Sequence, residues 1–184
     1  MVAAKEYGVT AKVLHWLIVA LLAIQFMIGW FMPDVHRGPA GTPMIFHMSF
    51  GILILGLIIV RLVWRLTHRV PQDPSLPLWQ RFSAEAVHWL LYVLVLLTTI
   101  SGWLNASSKP LHISWFYLFP LPLLPVSDTM EKDLSRWHGN FEVALIILVG
   151  CHVAAGLMHF VWYRDRIMHR MLPQTWSSIA TDGA

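Results

Sequence analysis

The sequence has 184 residues, of which 57% are hydrophobic and only 12% are charged, and its mean hydropathy is +0.59. This composition is too apolar for an ordinary water-soluble domain and predicts a membrane protein. The formal net charge of +3 favours contact with membrane lipid head groups. The basic residues form no stripe interleaved with aromatic residues, which argues against nucleic-acid binding.

Four segments are long and apolar enough to cross the hydrocarbon core of a bilayer, which is about 30 Å thick. They cover approximately residues 11–32, 44–66, 83–104 and 137–163, and segments rich in Pro, Gly and charge separate them. We therefore expect an all-α membrane protein, an up-and-down bundle of four transmembrane helices that forms one domain over residues 1–184. The first span is too long for a signal-peptide core, so we expect it to be retained.

Basic residues are distributed unevenly between the two ends of this predicted bundle. Nine Lys and Arg residues lie near the termini or near the loop between the second and third helices, whereas four lie at the opposite end. Because cytoplasmic segments carry the excess of Lys and Arg, we expect both termini to be cytoplasmic. Carboxylates at that end nearly balance the charge of its four cations. These cations are Arg37, Lys109, Lys132 and Arg136.

The first and third predicted helices share a pattern of histidine followed by glycine. His15 lies near the inner end of the first helix in LHWL, and His88 has the same place in VHWL of the third. Gly29 and Gly102 follow these histidines by fourteen residues, on roughly the same helix face, and leave room for a flat ring. His15 and His88 are thus equivalent candidates for an inner metal ligand, and spacing alone does not choose between them.

The second predicted helix has a histidine at its outer end and an arginine at its inner end. His47 and Arg61 are fourteen residues apart. A planar guanidinium at the inner end suits a carboxylate such as a haem propionate. An arginine that only snorkels to the inner surface explains the position equally well. Gln25, in the middle of the first helix, is expected to form a hydrogen bond to another helix.

The longest connection, Asn105–Ser135, contains the aromatic and proline-rich sequence ISWFYLFPLPLLP. Its prolines prevent a regular span, and its aromatic residues suit the membrane interface. We expect this segment to lie across the outer mouth of the bundle. It is either a cover over an outer haem or an interfacial anchor.

The fourth predicted helix carries three histidines on one face. His138, His152 and His159 follow one another at intervals of fourteen and seven residues, and a rise of about 1.5 Å per residue separates the first two by about 21 Å. A histidine in a lipid-spanning segment is costly unless it is paired, faces the bundle interior or binds a ligand. Glu142, one turn from His138, is an intramembrane carboxylate that could accept a proton, support an imidazole or pair with Arg136.

The histidines sort into two groups by depth. His47 and His138 lie at the outer starts of their helices, so their imidazoles can meet at one depth. His152 lies at the other depth, together with His15 and His88. Pairs of neutral imidazoles are strong axial ligands of low-spin haem, and the core of a four-helix bundle is a natural place for it. The sequence therefore predicts two haems in the core.

Two further features limit the kind of metal site. Zinc would normally need three or four ligands that converge at one point, which pairs at two depths disfavour. Cys151 is the only cysteine, so no intrachain disulfide can form and no Cys-x-x-Cys-His motif can attach haem covalently. Any haem is therefore b-type and non-covalently bound.

Several segments resemble the bacterial cytochrome b561 family of small, di-haem inner-membrane proteins, and the resemblance covers nearly the whole chain. They are KVLHWLIVAL, FHMSFGILIL, IIVRLVWRL, RWHGNFEVALIILVGCHVAAGLMHF and HRMLP. The resemblance implies that His15 and His152 hold one haem b and that His47 and His138 hold the other. It makes His88 a non-ligand near the inner haem.

The family resemblance also implies a function. The family is associated with quinone, and one member type is similar to a superoxide oxidase that passes electrons from periplasmic superoxide through the haems to ubiquinone. The nearly neutral outer side does not demand an anionic donor, so superoxide and other periplasmic donors stay open. His88 and His159 are candidate quinone-binding residues, because imidazole can hydrogen-bond and protonate a reduced quinone. Both could instead be structural histidines or propionate partners.

A second function fits the same bundle. Related cytochrome b subunits anchor hydrogenases and formate dehydrogenases in the membrane and conduct their electrons, and this chain could serve a larger complex in that way. The sequence contains no Ser-His-Asp set and no phosphate-binding glycine loop, which argues against a free-standing NAD-dependent reductase.

Overall fold

The computed structural model describes residues 7–33, 38–68, 76–109, 111–165 and 167–172. Four long helices form the fold, and their bounds are Val9–Phe31 (α1), Thr42–Thr67 (α2), Leu78–Ser107 (α3) and Glu131–Met158 (α4). By length and composition, all four are able to cross a membrane. The prediction of an all-α, four-helix membrane fold is therefore confirmed. Arg37, one of the predicted outer cations, lies outside the described residues.

The third and fourth helices begin earlier than the hydropathy of the sequence indicates. α3 begins at Leu78, directly after Pro77, rather than near residue 83. α4 begins at Glu131. The acidic side chains of Glu131 and Asp133 in its first turn interact favourably with the positive end of the helix dipole. Hydropathy detects the part of a helix that lies in lipid, so it misses polar ends of this kind.

Consecutive helices pack against each other, so α1 contacts α2, α2 contacts α3 and α3 contacts α4. The backbones of α1 and α4 stand farther apart, and the rings of His15 and His152 face each other between them. The central core lies between the two depths at which the histidines sit and contains Ile18, Leu21, Ile54, Ile58, Tyr92, Val95 and Leu145. Many outward apolar side chains, such as Trp30 and Trp162, are exposed as a lipid-facing surface requires.

Short strands shape the connections at one end of the bundle, which is called the outer end because the distribution of Lys and Arg predicts that it faces the periplasm. Gly38–Pro39 (β1) pairs in parallel with Leu111–His112 (β2), and Ser114–Trp115 (β3) pairs antiparallel with Phe119–Pro120 (β4). A 3-10 turn at Asp128–Met130 leads into α4, and a π-helical turn at His159–Tyr163 continues it at the inner end.

The turn between β3 and β4 is fastened to the outer end of α2. The backbone N–H of Phe116 donates to the hydroxyl of the fully buried Ser49 at 2.8 Å, and the Tyr117 hydroxyl donates to that of Thr42 at 2.8 Å. Phe116 and Tyr117 have positive φ angles of 45° and 63°, which non-glycine residues adopt only where surrounding contacts enforce them. The segment thus lies against the outer end of the bundle, as predicted.

Candidate functional site

His47 on α2 and His138 on α4 form a pair near the outer end of the bundle. Their ring centres are 6.2 Å apart, and their ring planes are nearly perpendicular at 89°. Two imidazoles on opposite sides of one metal ion, with bonds of about 2 Å and about 1.1 Å from nitrogen to ring centre, place their ring centres about 6 Å apart. The observed spacing therefore fits one metal ion between the two rings.

The hydrogen bond of His138 determines which ring nitrogen can bind a metal. Nδ1 of His138 lies 2.9 Å from the carbonyl oxygen of Thr98 on α3. A carbonyl oxygen can only accept, so Nδ1 carries the hydrogen and Nε2 presents its lone pair. Metal-bound histidines usually make such a bond with the nitrogen that does not bind the metal. His138 is thus held in the tautomer that an axial ligand requires.

Two glycines lie against the outer histidine rings. A Cβ atom on Gly29 of α1 would lie 3.3 Å from Cε1 of His47, and one on Gly102 of α3 would lie 2.8 Å from Cε1 of His138. Any side chain at Gly102 would force the imidazole to move. The glycines that follow the inner histidines His15 and His88 by fourteen residues therefore make room for the outer pair.

The outer pair lines a cavity to which all four helices contribute. Most of its lining is apolar, and besides the two histidines its hydroxyl, amide and carboxyl groups come from Gln25, Thr98, Thr99 and Glu142. The Gln25 side chain donates to the backbone oxygen of His47 at 2.9 Å, which confirms its predicted bond between helices. An apolar cavity with two neutral imidazoles and glycine-made space fits a non-covalently bound haem.

Three histidines meet at the inner end. The ring centre of His152 on α4 lies 6.3 Å from that of His15 on α1 and 5.4 Å from that of His88 on α3. The first spacing nearly equals that of the outer pair, and its ring planes are also close to perpendicular, at 82°. The second is shorter than the separation expected for two imidazoles on one metal ion. The structure thus brings all three predicted inner histidines together and gives them unequal spacings.

Arg61 lies at the depth of the inner histidines. It is partly buried, and its guanidinium donates to the backbone oxygen of Ala11 at 2.7 Å, which ties α2 to the first turns of α1. It also interacts electrostatically with His15 and His152. Arg61 therefore faces the bundle, where a carboxylate of a bound cofactor could reach it.

The next arginine, Arg65, has partners within the protein. Its guanidinium lies 3.5 Å from the carboxylate of Glu85 and 5.2 Å from the ring centre of Trp89, in a cation–π arrangement. Arg65 therefore contacts side chains of α3.

His159, predicted to bind quinone, lies at the start of the π-helical turn. Its Nδ1 is 2.5 Å from a carboxylate oxygen of Asp165, whose other oxygen accepts the N–H of Ile167 at 3.0 Å. No sequence signal predicts Asp165 as a partner of His159. The π-helical turn and the left-handed Arg164 (φ 50°) reverse the chain there, and helical periodicity does not reveal either feature. The ring of His159 contacts Tyr163, whereas that of His88 contacts His152, so the two predicted quinone-binding residues have different neighbours.

The segment that follows the π-helical turn packs on the start of α1. The Lys12 ammonium donates to the backbone oxygen of Leu172 at 3.1 Å, and the Trp16 indole donates to that of Met171 at 2.8 Å. Arg170 is buried and lies 5.4 Å from the ring centre of Tyr7. These contacts close the inner end of the bundle beside His15.

Comparison with known proteins finds matches over most of the chain. A sequence model of the prokaryotic cytochrome b561 family matches residues 6–174. Cytochrome b561 homolog 2 of Escherichia coli K12 is 27% identical over 182 residues, which cover 94% of each chain. Cytochrome b561 homolog 1 of the same organism is 26% identical over 186 residues, or 92% of this chain and 98% of the relative. A probable superoxide oxidase, CybB, of Yersinia pestis is 25% identical over 177 residues, or 92% of this chain and 97% of the relative.

Proposed function

Because the chain belongs to the prokaryotic cytochrome b561 family, we propose that it is an oxidoreductase that carries electrons across the membrane through two haems b, between a periplasmic donor and quinone. The family implies a membrane protein that binds haem b and transfers electrons. The observation that supports the finer proposal is the presence of two histidine pairs at opposite ends of one bundle, with ring centres 6.2 and 6.3 Å apart.

We assign the axial ligands by these spacings. His47 and His138 would hold the outer haem, and the Thr98 carbonyl keeps His138 ready to bind through Nε2. His15 and His152 would hold the inner haem. His88 stays a non-ligand in this proposal, because its 5.4 Å spacing from His152 is too short for two rings on one metal ion.

When bound, a low-spin haem with two imidazole ligands accepts and gives one electron without changing its ligands. The protein holds the imidazoles in place and excludes water. Ile54 and Leu145, which are almost fully buried between the two depths, make the space between the sites apolar. Arg61 would bind a propionate of the inner haem, a role that its partly buried guanidinium supports, since it donates to Ala11 one helical turn before His15.

At the inner end, ubiquinone would accept the electrons. His159 is held through Nδ1 by the Asp165 carboxylate, so its Nε2 is the nitrogen that can exchange a proton with a quinone head group. His88, beside His152, is the second proposed quinone residue. Both termini would be cytoplasmic and the membrane would be the bacterial inner membrane, as the distribution of Lys and Arg favours.

At the outer end, we propose superoxide as the donor to test first, because one relative is a probable superoxide oxidase. Each superoxide would lose one electron and leave as O₂, and two such electrons with two protons would reduce one ubiquinone to ubiquinol. The local charge is modest, since Arg136 pairs with Asp133 at 3.6 Å at the exposed start of α4. Another periplasmic reductant is the alternative donor.

The test is turnover by the purified full-length protein. Enzymatically generated superoxide should reduce a ubiquinone analogue in the presence of the protein, and superoxide dismutase should abolish the reaction. Quinone reduction that is unaffected by superoxide dismutase would show that a donor other than superoxide supplies the electrons. Stable co-isolation with an iron–sulfur subunit, together with no quinone reduction by the isolated chain, would instead support the role of a membrane anchor in a larger dehydrogenase or hydrogenase.

A further inference from the structure

Glu142 is a carboxylate that lines the outer cavity. Electron transfer between two haems does not by itself require a carboxylate at this place. Glu142 lies on α4, one turn further into the membrane than His138, and lines the same cavity as both outer histidines. Its Oε1 is 3.8 Å from the position that a Cβ on Gly29 would take, and Nδ1 of His47 is 3.6 Å from the same point. The missing side chain at Gly29 therefore leaves the carboxylate and the imidazole edge facing one small space.

The His47 imidazole and the Glu142 carboxylate can serve each other as hydrogen-bond donor and acceptor. Nδ1 of His47 is buried and has no hydrogen-bond partner among the described residues, whereas Nδ1 of His138 has the Thr98 carbonyl. In the described part of the chain, Glu142 makes no hydrogen bond and no ion pair, and it interacts electrostatically with His138, one turn before it on α4. If Nε2 of His47 binds a metal, Nδ1 must carry a hydrogen, and a buried donor of this kind requires an acceptor.

A carboxylate in the hydrocarbon core also requires compensation. Acidic side chains inside a membrane are costly and normally pair with a positive charge. The partly buried Glu142 lines a mostly apolar cavity together with two histidines. In the proposed function, the nearest group whose charge changes is the outer haem. An oxidised haem iron carries one more positive charge than a reduced one, so a nearby carboxylate stabilises the oxidised form.

On the basis of the proposed function, we propose that Glu142 is a positioning and charge-compensating residue of the outer site. Its carboxylate accepts the Nδ1 hydrogen of His47, directly or through one water, and so makes the outer haem harder to reduce. The inner haem, more than one helical turn beyond Leu145, does not share this partner.

The test is a spectroelectrochemical titration of both haems in the full-length protein. Glu142→Gln should shift the reduction equilibrium of the outer haem about tenfold toward the reduced form, which is about 59 mV for one electron. The inner haem should shift much less. Asp133→Asn is the matched control, since it removes the same charge from the same helix at an exposed position, where water screens it.

Glu142→Asp keeps the charge and should hold the outer haem within about threefold of the unmutated reduction equilibrium, and this variant decides the matter if Glu142→Gln loses the outer haem. An outer shift below about twofold in Glu142→Gln, an equal shift in Asp133→Asn, or a tenfold shift in Glu142→Asp would overturn the inference. If the unmutated protein bound no second haem, the proposed function would fail instead.

Discussion

The Nδ1–H of His138 donates a 2.9 Å hydrogen bond to the carbonyl oxygen of Thr98, which joins α4 to α3 at the outer site. This bond has two consequences. It holds the imidazole in one tautomer, and it leaves Nε2 with a free lone pair on a ring whose centre lies 6.2 Å from that of His47. A side chain prepared in this way binds a metal with little further loss of freedom.

The first prediction is that the two haem sites are independent. His47→Ala or His138→Ala should remove the outer haem and leave much of the inner haem signal, because each site has its own pair of imidazoles. His152→Ala should have the reverse effect. Absorbance spectra of the reduced variants measure this, with circular dichroism to show that the helices remain. Loss of both haems from a folded His138→Ala variant would contradict the independence of the sites.

The second prediction concerns the space beside His138. Gly102→Ala should weaken retention of the outer haem by about tenfold, because overpacking by one methyl group costs about 1–3 kcal/mol. Its Cβ would lie 2.8 Å from Cε1 of His138. Gly150→Ala on α4 is the matched control, since a Cβ there meets nothing within 4 Å. Equal haem retention in the two variants would show that Gly102 is not needed for the site.

The third prediction is spectroscopic. The imidazole planes are nearly perpendicular in both pairs, at 89° and 82°. Perpendicular planes favour neither of the two iron orbitals that interact with the rings, so these orbitals stay close in energy. Electron paramagnetic resonance of the oxidised protein should therefore show strongly anisotropic low-spin signals. The moderate anisotropy of parallel imidazole planes at both sites would contradict the observed ring orientation.

The fourth prediction separates His15 from His88. His15→Ala should lose the low-spin inner haem, because its ring centre is 6.3 Å from that of His152, a spacing that fits one metal ion between them. His88→Ala should retain both haem spectra and slow the reduction of quinone. Spectra and quinone-reduction rates of the two variants are compared side by side. Loss of the inner haem in His88→Ala and its retention in His15→Ala would exchange the two roles and remove His88 from the quinone site.

The periodic features of this protein were open to prediction from the sequence. A fourteen-residue interval is close to a whole number of helical turns, so it correctly predicts that histidines on different helices meet at two depths. The 6.2 Å contact of His47 with His138 and the inner group around His152 follow from that regularity. Their roles as ligands stay predictions.

Features that depend on the backbone or on neighbouring helices were not predictable in this way. The acceptor for His138 is a carbonyl oxygen, which every residue carries, so no residue type signals Thr98. The contact of His159 with Asp165 depends on a π-helical turn, and hydrophobic periodicity cannot reveal a change of helix type within an apolar segment. Gly29 serves the histidine of the neighbouring helix rather than His15 of its own.

The proposed function requires that one chain hold two b haems, one for each histidine pair. A pyridine haemochrome assay on the purified protein, combined with a reduced-minus-oxidised spectrum and protein quantification, measures the number of haems per chain. We expect two haems b per chain, both low-spin and both released by acidified organic solvent without cleavage of a covalent bond. A correctly folded chain that carries one haem, or none, would show that the two histidine pairs do not each hold a haem.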